Sequence, residues 1–443
     1  MAQTAREGNI FDDENIWRIL FQIAPPVMLA QLIQALYNIV DSYFVGQYSE
    51  AGLTALSVIF PVQFVIIALA IGTGVGVNTY MARLYAYRRY EEADRTAGTG
   101  MVLAVLMWAV FALLSLAALR PYVEASAKSP EAVEAAMTYG TIVCVGSLGM
   151  FLESNWTKVH QAAGNMKLPM AAQIAGALTN IVLDPILIFG WGPAPQMGIA
   201  GAAWATVAGQ FVAAAITGVK GCRRPPALAQ QRRYAAAIYK LGIPSILMQM
   251  TVTLYIVALN IILAGFSDEA VTILGLYYKI QTLFFIPILG LQTCIVPALS
   301  YNYGRGEYGR TRAIFRNSML ASMALMLAGI FCFEFMPQTL LGLFSRNEIV
   351  LTQGAWAFRI IALSFIPTVA ALLLPVFFQA IGQAFPSILL ALTRQIFCLI
   401  PIFYVLSRIG LDYVWFAFPI AEVITGSVGA VFYFRLVRQW KNL

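Results

Sequence analysis

The residues best suited to chemistry form a polar stripe in an apolar stretch near the N-terminus. Gln31, Gln34, Asn38 and Asp41 are spaced i, i+3, i+7 and i+10, which places them on one face of a helix. A carboxylate at membrane depth costs about 2.5–3.5 kcal/mol, so Asp41 indicates a functional site. The stripe must face water or other polar groups. The alternative is a structural hydrogen-bond network between packed helices.

A second polar set follows in the stretch LTNIVLDPILIFG. Asn180 and Asp184 are spaced i, i+4 and share a helix face, and Pro185 follows them. Asp41, Asp184 and Thr206 lie about five, six and seven residues from the outer ends of their predicted helices, and are therefore expected at one level. Such oxygens suit a hard cation such as Na⁺, or a shared proton, since two close carboxylates cannot easily both ionise. The alternative is that these groups merely satisfy one another.

The composition requires these residues to be held by membrane helices. The chain has 443 residues, of which 60% are hydrophobic and 11% charged. A soluble domain carries about 25% charged residues, so the composition excludes a soluble protein. The net charge of +7 does not indicate nucleic-acid binding, because the basic residues cluster in loops between apolar segments.

Apolar segments of about 20 residues can be placed twelve times along the chain. The fold class predicted is therefore an all-α membrane protein with twelve transmembrane helices. Their predicted bounds are Trp17–Val45, Leu53–Arg83, Thr96–Leu119, Ala132–Trp156, Leu168–Phe189, Ile199–Val219, Leu241–Phe266, Val271–Tyr301, Phe315–Met336, Gln353–Gln379, Phe385–Ser407 and Tyr413–Leu436.

The distribution of Lys and Arg predicts the orientation. If the N-terminus is cytoplasmic, the outside loops hold only Arg120, Lys128, Arg346 and Arg408, and the other loop Lys and Arg residues lie inside. This asymmetry predicts that both termini are cytoplasmic.

The second half of the sequence repeats the first. An alignment of the two halves that pairs Pro26 with Pro244 also pairs Gln31 with Gln249 and Tyr37 with Tyr255. We call this the repeat alignment. Two parallel repeats of six helices imply a pseudo-twofold axis along the membrane normal. The predicted organisation is an N-lobe over 1–220, a basic cytoplasmic linker over 221–240 and a C-lobe over 241–443. In the repeat alignment, Asp41 falls on Leu259 and Asp184 on Ile402, so the first half carries the acidic site alone.

Other charges in the apolar segments give weaker signals. Lys279, Arg359 and Arg394 are expected either to line a cavity, to pair with carbonyls or, for Arg394, to reach the interface. Glu422 is either a helix-end structural residue or an ion site in the second half. His160, the only histidine, is expected in a cytoplasmic loop without a role.

Several stretches resemble the multidrug and toxic compound extrusion (MATE) transporters. They are LIQALYNIVDSYFVGQYSEAGLTALSV, GTGVGVNTYMARLYAYRR, LTNIVLDPILIFGWG, GIAGAAWAT and WFAFPIAEVIT, and the likeness covers nearly the whole chain. An acid in the first helix with Asn and Asp in the fifth is similar to the bacterial DinF-like branch. The tenth predicted helix has no acid, which argues against the NorM-like second-half mechanism.

The resemblance implies two six-helix lobes and antiport of inward Na⁺ or H⁺ against export of organic, often cationic compounds. It implies that Asp41, Asn180, Asp184 and Thr206 form the cation site. The candidates it implies for the substrate cavity are Gln34, Tyr37, Asn38, Tyr139 and Asn155.

The sequence therefore predicts a multidrug efflux antiporter of the bacterial plasma membrane, not an enzyme. It is expected to act as a monomer among membrane lipids, to use small organic substrates, and to need no cofactor besides Na⁺ or H⁺. A lipid-linked saccharide flippase of the same superfamily is the alternative, and would need a strongly basic cavity. An intramembrane prenyltransferase would need Asp-rich motifs such as DDxxD, which the chain lacks. A channel is disfavoured because the predicted ion site is asymmetric.

Overall fold

The computed structural model describes residues 10–126, 129–192, 195–343 and 347–440. Two of the four basic residues predicted in the outside loops, Lys128 and Arg346, are not among the described residues. Within the described ranges the regular structure is helical, and no strand occurs there.

The first half of the chain contains seven α-helices. Their bounds are α1 Ile16–Tyr48, α2 Glu50–Ala86, α3 Tyr90–Ser126, α4 Pro130–Gly146, α5 Leu148–Ala162, α6 Lys167–Phe189 and α7 Ile199–Gly221.

The second half contains ten further α-helices and one π-helical turn over Thr393–Leu399. Their bounds are α8 Leu228–Ala264, α9 Asp268–Gly304, α10 Tyr308–Phe335, α11 Pro337–Gly342, α12 Glu348–Ala362, α13 Phe365–Ala380, α14 Ala384–Leu392, α15 Ile400–Ser407, α16 Leu411–Val414 and α17 Ala417–Trp440.

These helices match the predicted membrane spans. Ten helices in the described ranges are long and apolar enough to cross a membrane, and the count reaches twelve if each of two bent pairs is one span. The bent pairs are α4–α5, with an angle of 42°, and α12–α13, with an angle of 54°. The sequence predicted each pair as one unbroken helix, over 132–156 and 353–379. No proline lies at the first bend, whereas Pro367 follows the second bend and leaves the Leu363 carbonyl without its usual helical donor.

The observed helices also run past most predicted ends. α8 begins at Leu228, before the predicted start at Leu241, so the predicted linker 221–240 includes its first turns. Residues 228–240 contain charged side chains together with good helix formers such as Ala, Leu and Gln. Hydropathy marks only the apolar middle of such a helix, so the prediction placed its start too late.

The described contacts divide the chain into two compact units. The first contains Met1–Asp13 and Pro25–Ile246, and the second contains Glu14–Ala24 and Leu247–Leu443. Two of the three divisions fall inside long helices and close to prolines, namely Pro25 and Pro26 in α1 and Pro244 in α8. Contacts define these units and sequence repeats define the lobes, so the lobe boundaries remain a prediction.

In the first unit, glycines let α6 and α7 approach each other closely. A Cβ atom at Gly209 would lie 2.6 Å from the carbonyl oxygen of Gly176, and one at Gly201 would lie 2.5 Å from that of Leu187. Real Cβ atoms do not come so close to a carbonyl oxygen. The contact therefore depends on glycine, and it brings the polar faces of α6 and α7 together.

In the second unit, aromatic rings fill the core. The rings of Phe333 and Phe358 stack with centroids 4.8 Å apart, and Tyr277 packs edge-on against Phe418 at 5.3 Å. These rings pack α9, α10, α12 and α17 together. Tyr277 also lies close enough to Arg394 and Glu422 to interact with them electrostatically.

Candidate functional site

Asn180, Asp184 and Thr206 meet where α6 packs against α7. With the amide in one orientation, Asn180 Nδ2 donates to Asp184 Oδ1 and to Thr206 Oγ1, both at 3.4 Å. With the amide rotated, its nitrogen donates to Asp184 Oδ2 at 3.3 Å and its oxygen accepts from the Thr206 backbone N–H at 3.1 Å. In either orientation Asn180 bridges the carboxylate and Thr206. All three side chains are buried.

Local sequence explains how α6 presents these groups. Asn180 and Asp184 are one helical turn apart and share a face. Pro185 has no N–H, so the carbonyl of Ile181 lacks its usual helical donor close to Asp184. The helix ends at Gly190, which adopts the left-handed conformation at φ 75°. α7 then begins at Ile199 and returns alongside α6.

Asp41 lies beside this set on α1. Its carboxylate is close enough to Asp184 for the two charges to interact. The side chain is 8% exposed, and its Oδ1 is buried without a hydrogen-bond donor among the described residues. Burying a carboxylate oxygen without a donor is costly. Asp41 is therefore suited to take up a proton or a cation.

Tyrosines and amides border the two carboxylates. Tyr139 is buried, accepts a hydrogen bond from Gln63 Nε2 at 3.3 Å, and interacts electrostatically with Asp41. Tyr37 is half-buried and close to both Asp41 and Asp184. Gln63 was not among the sequence candidates. Its position on α2 gave no signal beyond an isolated amide in an apolar helix.

The remaining candidates for the substrate cavity are more dispersed. Gln34 and Asn38 are exposed on α1. Asn155 is buried on α5, and a Cβ atom at Gly100 of α3 would lie 2.5 Å from its Oδ1. Both atoms of its amide lack a hydrogen-bond partner among the described residues. No described contact joins Asn155 to Asp41, Asn180 or Asp184.

The prediction for His160 is wrong. It lies in α5 and is fully buried, and its Nε2 is 2.9 Å from the carbonyl oxygen of Thr217. α5 continues to Ala162, beyond the predicted helix end at Trp156, and carries the histidine into the protein. Glu153 and Thr157, seven and three residues before His160, share its helix face and are also buried, so helical spacing was the signal that could have indicated this burial.

The weak charge signals in the second half have distinct partners. Arg394 is salt-bridged to Glu422, with Nη2 and Oε1 2.7 Å apart, so Arg394 pairs with a carboxylate and not with a backbone carbonyl. Arg359 Nε donates to the carbonyl of Glu334 at 3.2 Å, as one prediction allowed. Lys279 is exposed on α9. Arg394 and Glu422 lie on different helices, so their contact could not be predicted from residue spacing in the sequence.

The ligand set in the first unit is one of oxygens. Among the described residues, no group of three or more His, Cys, Asp or Glu side chains could hold a metal ion. Two carboxylates, an amide and a hydroxyl instead offer acceptors for a hard monovalent cation or a proton. Nothing in this arrangement provides a nucleophile with a general base.

A bundle of membrane-spanning helices with such an ion-compatible site is the architecture of a secondary transporter. The MatE family profile matches residues 26–186 and again residues 244–405. The chain belongs to the MatE family and is a multi-pass membrane transporter, not an enzyme. The two matches begin at Pro26 and Pro244, the same pair of prolines that defines the repeat alignment.

Curated relatives cover nearly the whole chain. It is 24% identical over 419 residues to a protein named FAD transporter from Shewanella oneidensis, covering 93% of each chain. It is 21% identical over 423 residues to the multidrug export protein MepA of Staphylococcus saprophyticus, covering 94% of this chain and 92% of the relative.

Solved structures agree on the fold. A MATE protein in complex with MaL6 superposes with a TM-score of 0.90 at 23% identity, covering 100% of this chain and 99% of the other. An outward-facing multidrug resistance MATE family transporter of the MOP superfamily gives 0.89 at 24% identity, with 100% and 98% covered. The predicted MATE fold is thus confirmed.

Proposed function

We propose that the protein exports organic compounds, many of them cationic, in exchange for inward Na⁺ or H⁺. The observation that carries this proposal is the buried Asp41 carboxylate, without a donor on Oδ1, beside the Asn180–Asp184–Thr206 set. This arrangement suits a site that is filled and emptied in each cycle. The site provides oxygen atoms that bind the ion, and the ion gradient across the membrane drives transport.

The proposed cycle couples the ion to the shape of α1. A proton or Na⁺ entering beside Asp41 and Asp184 relieves the repulsion between the carboxylates, and α1 repacks along its polar stripe. This closes the substrate pocket of the first lobe and expels the compound. The ion can drive the change only through its different affinity for the two conformations.

The proposed substrates extend beyond cations. A relative that covers nearly the whole chain is named FAD transporter, and others are named multidrug export proteins. We include amphipathic drugs and flavin nucleotides in the proposed range. The proposed location is the bacterial plasma membrane, with both termini cytoplasmic and one chain as the working unit.

The second unit offers too few basic groups for the flippase alternative. A site for lipid pyrophosphate would need a cluster of basic side chains. Arg359 donates to a backbone carbonyl, and Lys279 is exposed on α9. Arg394 shares its charge with Glu422, which leaves an edge for a single oxyanion group at most. Relatives named multidrug export proteins favour drug export instead.

The test is efflux of a fluorescent cationic dye from proteoliposomes under a Na⁺ gradient or a pH gradient, imposed separately. We expect one gradient to drive efflux by the wild type and Asp41→Asn to abolish it. Ser42→Ala is the matched control, since Ser42 is exposed on the same helix and its hydroxyl bonds only the Asn38 carbonyl. Efflux by Asp41→Asn at the wild-type rate would refute the proposal.

A further inference from the structure

The second unit contains an ion pair in the middle of two membrane spans. Arg394 Nε lies 2.9 and 3.0 Å from the two carboxylate oxygens of Glu422, and Nη2 lies 2.7 Å from Oε1. Arg394 is near the middle of the span Ala384–Ser407, and Glu422 is well inside the span Leu411–Trp440. The bidentate geometry holds the guanidinium in a fixed plane.

Stability alone does not explain this pair. Desolvation of two buried charges commonly cancels their attraction, and apolar replacements are often as stable. Charges at membrane depth mark substrate or ion pathways by default. In the repeat alignment, Arg394 falls on Gly176 and Glu422 on Trp204, so the first half has no such pair. The pair is a specific feature of the second half.

The side chains of Arg394 and Glu422 differ in their solvent exposure. The Glu422 side chain is 9% exposed and both of its oxygens accept from Arg394, whereas the Arg394 side chain is 18% exposed. Nη1 of Arg394 donates to no residue that the structure describes. The Nη1 edge of the pair is therefore a positively charged donor that Glu422 does not occupy.

Two half-buried tyrosines border this edge. Tyr255 of α8 and Tyr278 of α9 both interact electrostatically with Arg394, and their rings meet edge to face with centroids 6.0 Å apart. The Tyr278 hydroxyl is buried and interacts with the Tyr255 side chain. Arg394 itself lies in the π-helical turn Thr393–Leu399, and such turns are frequent at functional sites.

We propose that Arg394, Tyr255 and Tyr278 form a binding site for the carboxylate or phosphate group of an aromatic substrate. The free edge of the guanidinium matches an oxyanion, and the tyrosine rings provide faces against which an aromatic ring packs. Glu422 is a positioning residue that fixes the guanidinium and balances its charge when no anion is bound. The assignment rests on the proposed export of organic compounds and names one substrate class for it.

This assignment makes Glu422 a competitor of the ligand. Its carboxylate and the ligand oxyanion draw on the same guanidinium charge. Removing the negative charge of Glu422 while keeping its shape should strengthen anion binding, and removing the whole pair should abolish it. A purely structural ion pair would not produce opposite effects.

The test measures equilibrium binding to the purified full-length protein in detergent, without a gradient. The probes are flavin mononucleotide and riboflavin, which share the aromatic ring system and differ in the phosphate. We expect wild type to prefer flavin mononucleotide. Arg394→Met with Glu422→Leu should weaken its binding by about tenfold or more and leave riboflavin unchanged, because a charge-assisted hydrogen bond is lost. Thermal unfolding checks that the double variant is folded.

Glu422→Gln provides the second arm and does not depend on the double variant. It should bind flavin mononucleotide several-fold more tightly than wild type does, with riboflavin unaffected. Equal or weaker binding by Glu422→Gln, wild-type binding by a folded double variant, or no phosphate preference in wild type would each overturn the proposal. Because no gradient is used, a failure of ion-coupled export would appear only in the proteoliposome assay.

Discussion

The two units place a tyrosine at equivalent positions beside opposite kinds of chemistry. Tyr37 in the first unit and Tyr255 in the second fall on each other in the repeat alignment. Tyr37 borders the carboxylates of Asp41 and Asp184, whereas Tyr255 borders the ion pair of Arg394 and Glu422. The aligned position is a tyrosine in both units, whereas the charged groups beside it differ.

The two units differ in how their buried charges are compensated. In the first unit no arginine or lysine is paired with Asp184 or Asp41 in the described hydrogen bonds and salt bridges. In the proposed cycle, its negative charge is met by a mobile ion. In the second unit the compensating charge is built into the chain. The first site is therefore suited to exchange a cation, and the second to remain occupied by its own residues until an anion competes.

The largest expected effect tests whether the uncompensated site drives transport. Asp184→Asn should reduce ion-driven dye efflux about 100-fold, because coupling energies of about 1–3 kcal/mol correspond to roughly 5–150-fold and this change removes a principal ligand. Ile402→Val, at the aligned position of the second half, should leave efflux unchanged. Both are measured in proteoliposomes. Efflux by Asp184→Asn within twofold of wild type would remove the distinction between the units.

A second test compares the units by stability. Arg394→Met leaves Glu422 buried without its partner and should lower the free energy of unfolding by about 3–5 kcal/mol. Adding Glu422→Leu should recover most of this loss. Asp184→Asn, by contrast, removes one of two neighbouring carboxylates and creates no new unpaired charge, so it should cost little. Denaturant unfolding in mixed micelles measures all three, and equal losses for Arg394→Met and Asp184→Asn would contradict the comparison.

A third test concerns the helix contact that builds the first site. Gly209→Ala would place a Cβ atom 2.6 Å from the carbonyl oxygen of Gly176. The resulting separation of α6 and α7 should cost about 1–3 kcal/mol of stability and weaken ion dependence. Gly275→Ala is the control, because a Cβ there meets nothing within 4 Å and should stabilise its helix slightly. Indistinguishable unfolding of the two variants would show that close approach is not required.

The smallest expected effect sharpens the ligand set. Thr206→Val keeps the shape of the side chain but removes the hydroxyl that faces Asn180. Loss of one hydrogen bond, worth about 1 kcal/mol, should raise the ion concentration for half-maximal efflux about fivefold. Thr206→Ser should behave as wild type. An unchanged ion dependence in Thr206→Val would remove the hydroxyl from the site.

The sequence predicted the spans and much of the first site because both have local signals. Apolar length marks the helices, and helical spacing with counted depth groups Asp41, Asn180, Asp184 and Thr206. The structure brings Asn180, Asp184 and Thr206 into contact and places Asp41 beside them. Their role in coupling remains a prediction.

What the sequence did not predict depends mainly on tertiary packing. The bend at Ser147 has no proline, so apolar length alone did not reveal it. The bend at Leu363–Ser364 has Pro367 one turn later, a local signal that the prediction of one unbroken helix did not use. The contact between Arg394 and Glu422 joins two spans across a π-helical turn, which shifts the register of the side chains. His160 is buried because α5 extends beyond its apolar middle.

The division of the two units inside α1 and α8 has a consequence for biosynthesis. Residues 14–24 emerge from the ribosome before any other part of the second unit, whose other residues begin at Leu247. The first unit is complete only after residues up to Ile246 have been synthesised. Domains usually fold one after another during synthesis. Here residues 14–24 must wait for residues after Ile246, so the start of α1 stays without the rest of its unit until the second half of the chain is made.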